Sequence, residues 1–288
     1  MIISMAEMLQ DARHNAYAVA MPIAWNHEST QAAIRAAEEM QSPVIMGAGY
    51  KPGIEAWMEY ARPWCERARI PIAINQDHGQ TFESAVHCIR MGFSSIMIDR
   101  STLPLEENIA QVKALTEIAH AVGVSVEAEL GHVANAEDYE KVLAHPEKDG
   151  QSSDTDAALT DPQQAAEFVA RTGIDCLAVA IGTAHGHYIG TPHIDFARLA
   201  QLQKAVDVPL VLHGGSGTGD ENLARAAQNG ICKVNLYTDL VTAYVQAVRT
   251  SGILEKTYHV SQVEAVGYAA FEEELMRYMR VFGSANRV

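Results

Sequence analysis

The chain has 288 residues, 48% of them hydrophobic and 20% charged, the composition of a globular protein with a large core. A formal charge of −15 excludes nucleic acid as a main partner, because a phosphate backbone needs a basic stripe; a small phosphate in a local site is still allowed. No apolar run reaches the ~20 residues of a membrane span, and Asp11 and Arg13 fall too early for a signal-peptide core. Cys65, Cys88, Cys176 and Cys232 are far apart and set among apolar residues, so they read as buried free thiols of a reducing compartment. The expectation is a cytoplasmic protein.

In chain order, apolar β-rich runs alternate with amphipathic stretches. Strands are predicted at Ala16–Met21, Pro43–Gly47, Ile70–Asn75, Ser95–Asp99, Val124–Leu130, Cys176–Ile181, Pro209–Leu212 and Ile231–Leu236. Helices include Ser29–Met40, Leu105–Val122 and Pro162–Arg171, the last opened by Asp161 as N-cap and proline at the first helical position. Strands apolar throughout and separated by helices are parallel and buried on both faces. Eight such units predict an α/β fold, one (β/α)8 TIM barrel over residues 1–288. The rival, a doubly wound open sheet, usually carries a glycine-rich fingerprint after its first strand, where Met21-Pro22-Ile23-Ala24 stands instead. Polar, aromatic-poor sequence ending in HPEKDGQSSDTDAALT predicts a mobile active-site loop over about 132–160. Glu255–Phe282 reads as a C-terminal helical extension packing on the barrel or on another subunit.

Three histidines sit at corresponding places. Asp77-His78-Gly79 closes the third strand, Ala184-His185-Gly186 lies just past the sixth, and Leu212-His213-Gly214 closes the seventh. A single histidine at a strand end is more often a hydrogen-bonded structural residue than a ligand. Three on the face where all barrel strands end reverse that, since three imidazoles and an open position make a catalytic zinc site. His187 reads as a loop residue, His132 as a pocket-lining or loop residue, and the remaining histidines as surface residues.

Acids gather on the same face: Asp77, Asp99, and the pair Glu127 and Glu129 on one side of strand five. Buried carboxylates need a charge partner, either a metal or a basic side chain; the basic partner carries more weight at Glu127 than at Asp99 or Glu129. HGGSGTGDENLARAA (213–227) is a glycine-rich turn entering a helix, whose N–H groups and Ser216 hydroxyl can cradle a phosphate. KVNLYTDL then closes strand eight with Asn235 and Thr238, and loops seven and eight are a recurrent phosphate site in barrels.

With these residues the chain resembles the class II, metal-dependent ketose-bisphosphate aldolases, the fructose- and tagatose-bisphosphate aldolase family. QDHG, MIDRS, VEAELG, LAVAIGTAHG, VPLVLHGGSG and KVNLYTDL occur in family order and spacing, and the short chain with its AIGTAHG wording is closer to the tagatose-bisphosphate branch. The resemblance implies that His78, His185 and His213 ligate Zn2+, and that Asp99 and Glu129 serve a second, nearby metal position. It gives Asp77 the proton of the hydroxyl beside the bond being cut. Gly186, Gly214, Ser216 and Thr238 match the phosphate cradle, and Asn235 the residue holding the donor near the metal. Glu137 aligns with the mobile-loop glutamate that takes the proton from the donor carbon. A monovalent cation (Na+ or K+) by the phosphate, and a homodimer or homotetramer, are further family properties.

The implied reaction is reversible cleavage of a ketose (bis)phosphate into dihydroxyacetone phosphate and an aldehyde through a metal-stabilised enediolate. No lysine is obviously placed for a Schiff base; Lys233, two before Asn235, reads as structural or electrostatic. Departures from the family pattern are Ile23 for an asparagine (Asn26 survives), Ala134-Asn135 for a double glycine, Tyr237 for an aspartate or small residue, and GAGYKPG without its usual hydroxyl residue. They leave the metal and phosphate residues in place and bear on the aldehyde partner. The alternatives are an aldolase of a non-bisphosphorylated ketose 1-phosphate and a non-catalytic sugar-phosphate binder. A metal-dependent hydrolase would want a His-x-His pair after strand one, and none stands there.

Overall fold

The computed structural model describes residues 1–49, 52–133, 159–186, 192–257 and 259–288. Helix α1 (Met5–His14) precedes an alternation of β1 (Val19–Pro22), α2 (His27–Glu39), β2 (Val44–Gly49), α3 (Ile54–Arg67), β3 (Ile72–Gly79), α4 (Phe82–Met91), β4 (Ser95–Ile98), α5 (Leu105–Ala121) and β5 (Ser125–Leu130). It continues with α6 (Pro162–Thr172), β6 (Cys176–Val179), α7 (Phe196–Ala205), β7 (Leu210–Leu212), α8 (Asp220–Gln228), β8 (Ile231–Leu236) and α9 (Thr238–Thr250), and ends in α10 (Ile253–Lys256) and α11 (Val260–Phe282). The eight strands are parallel and close, β8 on β1, into the predicted (β/α)8 barrel.

Closure creates two apolar layers, because alternate side chains of each strand face opposite ways. Ala20, Val44, Met46, Ile72, Ile74, Ile96 and Val126 point outward and pack under the helices. Val19, Met21, Ile45, Ala73, Ala178 and Val211 point inward. This is why the strands read as unbroken apolar runs. Met5, Met8 and Leu9 of α1 join the inner layer, so a helix that the sequence reading did not predict packs against the floor of the barrel. The first strand starts at Val19 and not Ala16, which has a left-handed backbone (φ 51°) that breaks an extended run.

The C-terminal segment is two helices. The long one, α11, packs on α9, α2 and α8, so the extension does lie on the barrel. All four cysteines are buried and free. Among the described residues no helix is long and apolar enough to cross a membrane.

Candidate active site

Adjacent strand residues normally face opposite ways, yet Asp77 and His78 both line one cleft at the carboxyl end of the barrel. A bulge reconciles the two. Pairing of β3 with β4 shifts between Gln76 and Gly79, leaving one extra residue on β3, and His78 takes a left-handed backbone (φ 46°). Gly79 is required by the close approach that follows: a Cβ there would stand 2.4 Å from the Met97 carbonyl oxygen. The chain then leaves into α4 through Thr81, whose hydroxyl accepts the Ser84 N–H in a reciprocal cap.

The three predicted imidazoles meet. Ring centroids are 5.1 Å apart for His78 and His185, 4.7 Å for His78 and His213, and 5.9 Å for His185 and His213. One nitrogen from each lies within 4.8 Å of the others. Gly214 (φ 68°) lets the loops after β6 and β7 close on each other, since a Cβ there would lie 2.3 Å from the Ala184 carbonyl oxygen. Outer hydrogen bonds orient the rings. His78 Nδ1 bonds Asp99 Oδ2 at 2.9 Å, and Asp99 is itself held by the Ser101 N–H and hydroxyl. His185 Nδ1 bonds the Val133 carbonyl at 3.0 Å. Nδ1 is thereby engaged in both rings, and His78 Nε2 is buried without a hydrogen-bond partner among the described residues. An unpaired imidazole nitrogen beside two further histidines is a donor set that can hold a metal ion. Asp99 and Glu129 form a second such group with His78.

His213 carries the link to the barrel interior. Its Nδ1 bonds Glu129 at 2.8 Å and its Nε2 bonds Glu127 at 2.9 Å, while Lys233 Nζ bonds the other Glu127 oxygen at 2.6 Å. Burial opposes charge on the ring, but the bonds to both glutamates outweigh it and push His213 up to about 10. Burial likewise opposes charge on Glu127, and the Lys233 ammonium with His213 overcomes it, bringing the carboxyl down to about 2. His185, with no carboxylate on its ring among the described residues, is lowered by burial and by the other two histidines. The basic partner expected for Glu127 is thus Lys233. A register shift in the β7–β8 pairing accompanies it: Cys232 faces the inner layer, and Lys233 beside it also turns inward.

Asp77, His78, His185, Gly186, Gly214, Ser216, Asn235 and Thr238 share the cleft, which encloses about 260 Å³ among the described residues, room for a small metabolite. Ser216 and the start of α9 at Thr238 put a hydroxyl and a helix N-terminus at one end. Ile23 and Tyr237 also line it, and Tyr237 meets Trp25 edge-on at 6.3 Å. Asn26 does not line the cleft; it caps α2 and hydrogen-bonds the Tyr268 hydroxyl.

Sequence reasoning missed the contacts that orient the site. Asn235 Nδ2 donates to Asp77 Oδ1 at 2.9 Å, so Asn235 holds the acid as well as lining the cleft. The Asp99-x-Ser101 spacing, a local side-chain turn, was a usable signal for the Asp99 clamp; nothing local predicts the Val133 carbonyl. His132 is exposed, 3.3 Å from Ser101 Oγ, and does not line the cleft. His27, expected on the surface, packs against Tyr60 and Trp64. Glu137, with Ala134, Asn135, His145 and His187, lies outside the described residues, as does nearly all of the loop expected over 132–160.

A closed parallel barrel with convergent imidazoles, an adjoining acid and an anion-ready loop at its carboxyl end defines the class: a barrel enzyme equipped for metal-assisted chemistry on a small anionic substrate. The sequence family described as class-II fructose-bisphosphate aldolase matches residues 3–287. A probable fructose-bisphosphate aldolase of Bacillus subtilis (strain 168) is 38% identical, with 99% of each chain covered. A fructose-bisphosphate aldolase of Thermus caldophilus is 39% identical over the whole of both chains. In structure, the YdjI aldolase of Escherichia coli K12 superposes with a TM-score of 0.85 at 33% identity, covering 100% of this chain and 99% of that one. The chain belongs to the class II fructose-bisphosphate aldolase family and is an aldolase, a carbon–carbon lyase.

Proposed function

We propose that the protein is a zinc-dependent aldolase that reversibly cleaves a ketose (bis)phosphate of the tagatose type into dihydroxyacetone phosphate and an aldehyde. The observation that carries this is the unpaired, buried His78 Nε2 aimed at two further imidazoles, with Asp77 beside it in the cleft. His78, His185 and His213 would hold the ion, with Asp99 and Glu129 as the adjoining position. A divalent cation bound there supplies Lewis-acid stabilisation of the negative charge left on the donor half when the bond breaks.

The chain's own residues do the rest. Asn235 anchors Asp77 Oδ1, leaving the second carboxylate oxygen to take the C4 hydroxyl proton in cleavage and return it in condensation. Ser216, Gly186, Gly214 and the start of α9 at Thr238 hold the donor phosphate, with a monovalent cation beside it. Glu137 exchanges the proton at the donor carbon. The curated relatives named above make fructose 1,6-bisphosphate the competing substrate; AIGTAHG and the short chain favour the tagatose epimer. We read the chain as one cytoplasmic domain acting as a homodimer or homotetramer.

The test combines metal removal with a product screen. Chelated protein should lose retro-aldol activity and regain it with Zn2+; full activity without any divalent metal overturns the reading. Condensation of dihydroxyacetone phosphate with phosphorylated and unphosphorylated aldehydes, with C4 stereochemistry read out, assigns the aldehyde half.

A further inference from the structure

The glycine-rich loop between β7 and α8 is tied from behind to the C-terminal helix. Tyr278 of α11 is buried, and its hydroxyl donates to Asp239 Oδ2. The same oxygen accepts the Gly217 N–H at 2.8 Å. Asp239 in turn donates its backbone N–H to Ser216 Oγ at 3.2 Å. One residue earlier on α11, the Arg277 guanidinium lies 4.1 Å over the Tyr278 ring and pairs with Asp220, the first residue of α8, and with Glu274. Both ends of the Gly217–Asp220 turn are therefore fastened to a helix outside the barrel.

The arrangement has a consequence for an anion in the cleft. Ser216 Oγ already accepts the Asp239 N–H, so its remaining hydroxyl proton is available to a ligand. The Asp239 carboxylate is adjacent to Thr238, and a free carboxylate there would repel a phosphate. Tyr278 and Gly217 engage it away from the cleft lining, to which Asp239 does not belong. Burial and the neighbouring carboxylate hold the Tyr278 phenol protonated well above its usual range, so it remains a donor at working pH. Packing alone would be served as well by phenylalanine.

We propose that Tyr278 is a positioning residue for the phosphate of the donor: acting through Asp239, it fixes Gly217 and Ser216 in their anion-binding conformation and keeps the Asp239 charge turned from the ligand. This rests on the reading of the loop as the phosphate cradle. It gives the C-terminal extension a part in substrate binding.

The test is a double-mutant cycle in the zinc-loaded enzyme, with two donors and inorganic phosphate as a competing anion. Tyr278→Phe should raise the KM for dihydroxyacetone phosphate and the inhibition constant of inorganic phosphate together, by roughly tenfold, the scale of one charge-assisted hydrogen bond. Its kcat, and its KM for unphosphorylated dihydroxyacetone, should stay near those of the parent. Asp239→Ala, which removes the acceptor shared by Tyr278 and Gly217, should raise the same two constants, and adding Tyr278→Phe to it should change nothing further. Unchanged phosphate inhibition in Tyr278→Phe, additive effects, or equal losses with both donors would each overturn the proposal. If Tyr278→Phe does not fold, Asp239→Ala decides alone: parent-like phosphate binding overturns the brace. Failure of inorganic phosphate to compete in the parent enzyme would instead remove the cradle reading, and the brace with it.

Discussion

At Asp77 and His78 one extra strand residue turns two neighbouring side chains into the same cleft. A regular β3 would send one of them into the packing under the helices, separating the acid from the imidazole. The reading of Asp77 as proton carrier predicts that Asp77→Asn lowers kcat by about 10²–10⁴ while zinc content stays at the parent level. Parent-like turnover in the metal-replete Asp77→Asn enzyme would assign the proton elsewhere. Lys233 makes a different prediction, because it is fully buried and neutralises Glu127. Lys233→Met leaves a carboxylate without its cation and should cost about 3–5 kcal/mol in urea unfolding of the metal-free protein. An unchanged midpoint would mean that Glu127 is satisfied by His213 alone.

The elements differ in how they are held. Helix α1 and the inner strand residues share one apolar layer, whereas α2 to α9 lie on the outer one. Polar ties supplement packing at several junctions. Glu38, near the end of α2, accepts the Arg69 backbone N–H at 2.9 Å ahead of β3, with the Arg69 guanidinium at 3.2 Å. That backbone bond, more than the guanidinium, holds the Glu38 carboxyl below its usual 4.5. A carboxyl lowered on folding contributes stability above its unfolded pKa and loses it as pH falls through the folded one. Glu38→Gln should therefore unfold at lower urea than the parent at pH 7, with the gap closing on acidification below 4.5. A pH-independent gap would point to packing in place of charge.

For the whole molecule, the proposed metal couples the upper barrel to global stability. Donors from β3, the segment after β6, and the end of β7 converge, so an ion bound only by the folded protein stabilises all three connections at once. At free zinc of 100 times its Kd the gain is about 2.7 kcal/mol, worth several degrees in Tm for a chain of this size. Calorimetry with and without chelator should show that loss, and Asp77→Asn should show it equally, since its ligands are intact. A chelator-insensitive Tm would argue against the three-histidine site.

The sequence by itself determined the eight-fold alternation and the parallel barrel, and it singled out Asp77, His78, His185 and Ser216 among the residues that line the cleft. Apolar runs of strand length between helical periods admit few topologies, and three His-Gly steps at strand ends mark one face. The order of QDHG, LAVAIGTAHG and VPLVLHGGSG also sufficed to place the chain in its family. Only the tertiary structure decided how those residues face and what holds them. The bulges near Asp77 and Lys233 are shifts of pairing between strands, invisible to a period-two pattern. The Asn235–Asp77, Lys233–Glu127 and Tyr278–Asp239 contacts join residues 158, 106 and 39 positions apart. Helix α1 escaped notice because its apolar face is complementary to the barrel floor, a surface that exists only once the sheet has closed. Local chemistry selects elements; the orientation of a catalytic side chain comes from partners that only closure brings within reach.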